Sequence, residues 1–414
     1  MRRREALGGL LVFGLAATLV TSSGRGQPPR PGPAPGPVPS PGPRPGPAAT
    51  LGQPLAGLST AELARFNAGL RVFQQQADPP AGLGPVFNDN ACVRCHGGGA
   101  VGGGSPRMAV RFGRITNGQF DPMVEFGGPL LQDKGIGRFK NVNFVGETVP
   151  AQATIVARRR TTPVFGLGLV DAVPDSVFVQ LAQHQHQVTP LTAGRPSPTI
   201  DPATGAAAVG KFGWKAQQPN LFAFAADALV NEMGITTPVF PQENCPQGNC
   251  ALLAANPART QPNAPTTTSV RQLADFMALL APPPPGPASA DANAGRAVFA
   301  TIGCADCHQP TLQTGPNAVA ALNGVTFAPY SDFLLHDMGP LGDGVVQNQA
   351  GPHEMRTAPL WGLRFAPSYL HDGRAQTPSA AILAHDGQGK PARDRFNALT
   401  PTQRNQLLTF LNSL

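Results

Sequence analysis

Two five-residue stretches, Cys92-Val93-Arg94-Cys95-His96 and Cys304-Ala305-Asp306-Cys307-His308, share the pattern Cys-x-x-Cys-His. Two thiols three residues apart can reach the two vinyl groups of one porphyrin and close thioether bonds. The adjacent His then lies under the iron as its proximal ligand. Composition alone predicts roughly 0.002 such motifs per chain of this size, so two are not accidental. A structural zinc site and a redox Cys-x-x-Cys are the weaker alternatives. The sequence therefore predicts two covalently bound haem c groups, attached at Cys92, Cys95, Cys304 and Cys307, with His96 and His308 as proximal ligands.

Function turns on the sixth iron position. A filled position favours electron transfer, and an open one lets peroxide or oxygen bind. Of the remaining histidines, His385 stands at the end of a short helix predicted around Ser379 to Ala384. Taken alone, it is either an iron ligand or a surface His at a helix end. His184 and His186, in Gln183-His184-Gln185-His186-Gln187, read as a solvated polar loop. His336 and Met338 sit in a Gly-bounded loop that suggests a haem-edge or interdomain role. Glu125, in Met123-Val124-Glu125-Phe126, is the candidate acid–base residue for moving a proton between peroxide oxygens, set against an ordinary surface carboxylate. Arg160 and Arg356 suit carboxylate or propionate partners. Trp214 is an electron relay or a core residue.

Gly (48) and Pro (47) make the 414-residue chain loop-rich. The net charge of +7 is concentrated in residues 1–50, which hold six arginines against one glutamate. Without a long basic cluster elsewhere, nucleic-acid binding is set aside. Cys245 and Cys250 have no adjacent His. In an oxidising compartment they suit a small-loop disulfide, with two free thiols as the alternative.

The positioning elements follow in order. Arg2-Arg3-Arg4 and the apolar run Ala6 to Val20 place a signal peptide at 1–26, with an uncleaved anchor as the alternative. A Pro/Gly-rich linker follows at 27–58. Ser59-Thr60-Ala61-Glu62 is a capping-box pattern opening a helix through about Gln75. Further helices are expected at Ser269 to Leu280, Ala292 to Ile302 and Thr402 to Leu414. The Pro-rich break at 282–290 separates a first cytochrome c-like domain, 59–281, with an insertion, from a second, 291–414. A duplication crosses it: Arg160-Thr161-Thr162-Pro163-Val164-Phe165-Gly166-Leu167 echoes Arg356-Thr357-Ala358-Pro359-Leu360-Trp361-Gly362-Leu363. Gln272, Phe276 and Leu280 likewise match Gln406, Phe410 and Leu414. The expected fold class is mainly α: two tandem cytochrome c-like domains with long irregular loops.

The runs Tyr330-Ser331-Asp332-Phe333-Leu334-Leu335-His336-Asp337-Met338-Gly339-Pro340, Arg356 to Leu363, Tyr369-Leu370-His371-Asp372-Gly373-Arg374-Ala375 and Lys211-Phe212-Gly213-Trp214-Lys215 resemble the di-haem oxidoreductase family. That family is related to bacterial di-haem cytochrome c peroxidases and MauG-like enzymes, and the resemblance spans roughly residues 60 to 414. In the related proteins a distal iron ligand lies fourteen residues beyond the His of a His-x-Gly element, and His385 holds that place here. The resemblance implies His385 as sixth ligand, hence a bis-histidine, electron-transferring second haem and an open, reactive first one. It implies an exported, periplasmic oxidoreductase of the peroxidase type. Peroxide or oxygen would be its small ligand, and a small redox protein or quinol-linked donor its electron source. Membrane contact would come only through an N-terminal anchor. The alternatives are a non-catalytic electron carrier and an oxygen-using, MauG-like oxidase.

Overall fold

Ser59 opens the first helix as its sequence suggests. In the computed structural model, which describes residues 50–256 and 267–414, the Ser59 hydroxyl accepts from the Glu62 amide and the Glu62 carboxylate accepts from the Ser59 amide. This satisfies two of the first turn's free donors. Helix α1 (Thr60–Gln74) leads to the one-turn helix α2 (Cys92–Cys95). Then come α3 (Leu167–Asp171), α4 (Asp175–Val188), α5 (Leu221–Met233) and α6 (Thr267–Leu279). The second half holds α7 (Ala290–Thr301), α8 (Pro378–Ala384), α9 (Lys390–Asn397) and α10 (Pro401–Leu411). The signal-peptide expectation and most of the linker fall outside the described residues. Residues 50–58, which composition assigned to the linker, instead pack on the end of α6, where the Leu55 amide donates to the Leu279 carbonyl at 2.8 Å.

One helix crossing occurs twice. In the first half α1 packs on α6, and a Cβ at Gly69 would overlap the Gln272 carbonyl. One turn further on, Phe73 packs against Phe276 with the rings tilted, at 4.7 Å between ring centroids. In the second half α7 packs on α10, a Cβ at Gly295 would overlap the Gln406 carbonyl, and Phe299 meets Phe410 at 5.4 Å. All four rings are buried, each worth about 3–5 kcal/mol if truncated to Ala. The aligned segments also repeat a bond: the Gly166 amide donates to the Leu280 carbonyl, and the Gly362 amide to the Leu414 carbonyl. Both glycines have positive φ, 72° and 71°, a conformation that favours Gly.

The expectation of a mainly α fold is overturned. The described residues are 37% helix and 17% strand, with six small antiparallel sheets among them. The largest has three strands, Gln119–Asp121, Ser105–Thr116 and Ile155–Thr161, with Ala109 opposite Arg159 and Arg111 opposite Ala157. Much of what composition suggests is irregular loop is therefore paired strand. The sheet was hidden because its two long strands meet across about forty residues, and because three consecutive arginines mask the alternation in Ile155–Thr161. Pairing supplies the backbone partners that these segments lack alone. The polar run Gln183 to Gln187, expected as a solvated loop, lies inside α4, with Gln185 buried.

Buried charge ties the two halves. The Asp343 carboxylate receives Arg159 Nε at 2.6 Å and Lys215 Nζ at 3.2 Å, with all three side chains at most 5% exposed. Lys215 Nζ also donates to the Gly351 carbonyl. Removing the one anion leaves two buried cations uncompensated. We predict that Asp343→Ala costs about 3–5 kcal/mol, read as a fall in the urea midpoint. A change below 1 kcal/mol would refute the network's role.

Candidate functional site

Helix α7 ends in a turn at Gly303 that delivers Cys304, Cys307 and His308 to a cavity of about 600 Å³. His385, Trp214 and Phe333 line the same cavity. Phe299 of α7 stands 6.4 Å from the His308 ring, as Phe73 of α1 stands 6.0 Å from His96. The crossing thus sets an aromatic ring beside each motif histidine.

Two of the histidines lining this cavity, His308 and His385, have their Nδ1 bound to a backbone carbonyl. His308 Nδ1 is 3.0 Å from the Tyr330 carbonyl and His385 Nδ1 is 2.8 Å from the Ala381 carbonyl. A carbonyl only accepts, so each Nδ1 carries the proton and each Nε2 keeps its lone pair, the arrangement of metal-ligating imidazoles. Tyr330 reaches its position at φ 52° and Phe333 at 57°, left-handed backbone that costs about 1–3 kcal/mol at each non-glycine. Thr377 caps α8, accepting from the Ala380 amide, and Pro378 starts the helix, so the helix ends at His385. The two rings lie 6.5 Å apart between centroids. Two imidazoles on one metal require about 2 Å per bond and about 1 Å more to each ring centre, roughly 6 Å in all. The donor set fits an iron shared by His308 and His385. Burial, with the neighbouring His385 adding to it, pulls His308 down to about 4, and burial also lowers His385. Both are therefore neutral near pH 7.

His336 is fully engaged elsewhere. Its Nε2 is 2.9 Å from Asp332 Oδ2 and its Nδ1 is 3.5 Å from Cys307 Sγ. Met338 also lines the cavity. Trp214 donates from Nε1 to the Arg160 carbonyl at 3.1 Å and meets His371 edge-on at 6.2 Å. Arg160 and Arg356 line this cavity too, but their guanidinium groups bond backbone carbonyls, Arg160 that of Ser368 and Arg356 those of Gly213 and Thr357.

At the first motif α2 holds Cys92 and Cys95. His96 keeps a buried Nδ1 without a hydrogen-bond partner, an orphaned donor set that an added cofactor could use. Burial lowers this imidazole to about 4 against smaller opposing effects from the Thr162 and Gly103 backbone. Glu125 is not part of this surrounding: it is exposed on a turn and paired with Arg114 at 2.8 Å. Sequence reasoning missed a different group. Burial raises Asp227 to about 6, with Arg111 opposing and Glu232 adding. Burial also raises Glu232, which accepts from Asn88 Nδ2 at 2.7 Å. The Cys95 thiol is pushed up to about 11 by burial, and Glu232 contributes to that rise. Burial lowers Arg111 to about 10. The available signal was Asp227, the one polar residue inside the otherwise apolar run Leu221 to Val230, with Asn231 one turn on. His184 and His186 lie on α4, with His186 Nδ1 bound back to the Ala182 carbonyl at 2.8 Å.

A family model described as "Di-haem oxidoreductase, putative peroxidase" matches residues 145–414, which include the second motif but not the first. No curated protein matches the chain. Among solved structures, hydrazine synthase from Kuenenia stuttgartiensis is 14% identical, with 87% of this chain and 90% of that one covered and a TM-score of 0.39. The diheme peroxidase BthA from Burkholderia thailandensis is 13% identical, with 85% and 86% covered and a TM-score of 0.37. A MauG-like protein associated with microbial copper homeostasis is 13% identical, with 89% and 93% covered and a TM-score of 0.38. Likeness at that level carries no argument, and the family match stands by itself.

The buried histidines make a pH prediction. His96 and His308 are held near 4 in the folded chain, below the value of about 6.5 for an exposed imidazole. Between those values the unfolded chain binds protons that the folded chain refuses, so stability rises with pH there. In the chain before haem is attached, acidification from about pH 6.5 to about pH 4 should lower the urea midpoint, and His308→Gln should flatten the fall. A midpoint that stays level through this window would count against the buried neutral state.

Proposed function

The chain belongs to the di-haem oxidoreductase family, and from that premise we propose that it is an exported, peroxidase-like enzyme whose two haems play different parts. Cys92 and Cys95 attach the first haem and Cys304 and Cys307 the second, with His96 and His308 as proximal ligands. His385 would be the second protein ligand of the second haem, whose electrons would come from a small redox protein or a quinol-linked donor. The first iron stays open to peroxide or oxygen. The observation that carries this reading is the facing pair His308 and His385, each with Nδ1 spent on a carbonyl and Nε2 left free. Haem, when bound, supplies the electron transfer and the oxygen chemistry.

The polypeptide supplies position and proton control. Each Nδ1–H bond fixes one tautomer, so a ligating nitrogen needs no reorganisation. Tyr330 and Ala381 hold those rings through backbone, which no side-chain titration can disturb. Asp227, a neighbour of the Glu232 that acts on the Cys95 thiol, has its carboxyl near 6 and can hold and release a proton at Oδ around neutral pH. This assigns to Asp227, with Arg111 and Glu232 as its neighbours, the proton role that sequence alone suggested for Glu125. Export rests on residues 1–26. Among the described residues no helix is long and apolar enough to cross a membrane.

Absorption and resonance spectra of the haem-loaded chain test the reading. One high-spin ferric centre, carbon monoxide binding after reduction, and turnover of hydrogen peroxide with a reduced donor are expected. His385→Ala should convert the low-spin centre to high-spin. Asp227→Asn should lower peroxide turnover by about 10²-fold or more, whereas Glu125→Gln should leave it unchanged. Two low-spin haems that bind no external ligand would make the protein an electron carrier. Oxygen uptake with an organic substrate, without peroxide turnover, would make it a MauG-like oxidase. A colourless protein with the bare polypeptide mass would end the haem reading.

A further inference from the structure

His336 is 2% exposed, and both of its ring nitrogens are used. Nε2 meets Asp332 Oδ2 at 2.9 Å and Nδ1 meets Cys307 Sγ at 3.5 Å. The acid is fixed in turn: Asp332, fully buried, accepts from Gln185 Nε2 at 2.8 Å and from the Leu334 amide at 3.0 Å. Its own amide donates to the Cys307 carbonyl at 2.9 Å. Gly194 closes the far side, since a Cβ there would press on His336 Nε2. The imidazole therefore has one orientation.

The hydrogen inventory then constrains its charge. A free thiol could donate to Nδ1, but a thioether sulfur has no hydrogen to give. Once Cys307 is attached to haem, the contact survives as a hydrogen bond only if Nδ1 carries the proton. Nε2 must also carry one, because a carboxylate only accepts. We propose that His336 is a permanent imidazolium clamped between Asp332 and the Cys307 sulfur, and that it raises the reduction potential of the second haem. The inference rests on the reading that the second motif carries a haem. A cation at the attachment sulfur, in a site shielded from water, favours the reduced state, in which the centre has one more electron. It offsets part of the low potential that two histidine ligands impose. His336 is a positioning residue here: it acts through Cys307 and touches no substrate.

The test uses the full haem-loaded chain, with haem content and intact mass measured first and spectroelectrochemical titration of both centres second. His336→Leu and Asp332→Asn should each shift the low-spin centre to lower potential while its low-spin spectrum and the other centre's potential are kept. His336→Gln, which retains an N–H, should restore part of the shift. The double variant should shift no further than the larger single one, since the pair acts as a unit. If two haems are present and the potential does not move in Asp332→Asn, the inference fails while the di-haem reading stands. Should His336→Leu fail to load its second haem, Asp332→Asn, which keeps the side-chain shape, decides alone. A wild-type chain without haem at Cys304 and Cys307 would overturn both.

Discussion

A close crossing of two helices, made possible by a missing methyl group, underlies each half of this protein. At Gly69 and at Gly295 the entry helix comes so near the closing helix that any side chain would strike a backbone carbonyl. That approach lets Phe73 and Phe299 wedge against Phe276 and Phe410, one turn away. The same two rings then stand beside His96 and His308. Apolar packing at the crossing and placement of the motif histidine are thus one constraint, imposed twice. A chain poor in tryptophan and tyrosine depends heavily on these few rings.

Polar groups inside this frame are held by fixed partners. His308 and His385 are oriented by main-chain carbonyls, His336 by an acid that itself receives two further donors, and Asp343 by two cations from the other half. Buried polar groups are costly unless paired, so each arrangement leaves little room for alternatives. The second motif is enclosed on these terms. Near the first, Glu232 adds to the rise of the Cys95 thiol, and burial raises both Glu232 and its neighbour Asp227 against the pull of Arg111. The two sites therefore differ in proton chemistry while sharing a motif and a crossing.

Sequence alone made the two Cys-x-x-Cys-His motifs legible, because the pattern lies in adjacent residues. It also determined the capping box at Ser59, the helices before and after each motif, and the correspondence of Gly166 with Gly362, since local periodicity and spacing carry those signals. His385 was legible only by its distance from His371, and its orientation toward His308 was not. Tertiary structure decided everything that joins residues far apart in the chain. The sheet pairing Ser105–Thr116 with Ile155–Thr161 was invisible because neither strand is stable without the other. Glu125 looked suitable in sequence yet lies exposed against Arg114, while Asp227 looked ordinary yet is half-buried within the reach of Arg111. A carboxylate's chemistry depends on the water and charge around it, and for Asp227 part of that charge comes from Arg111, more than a hundred residues away.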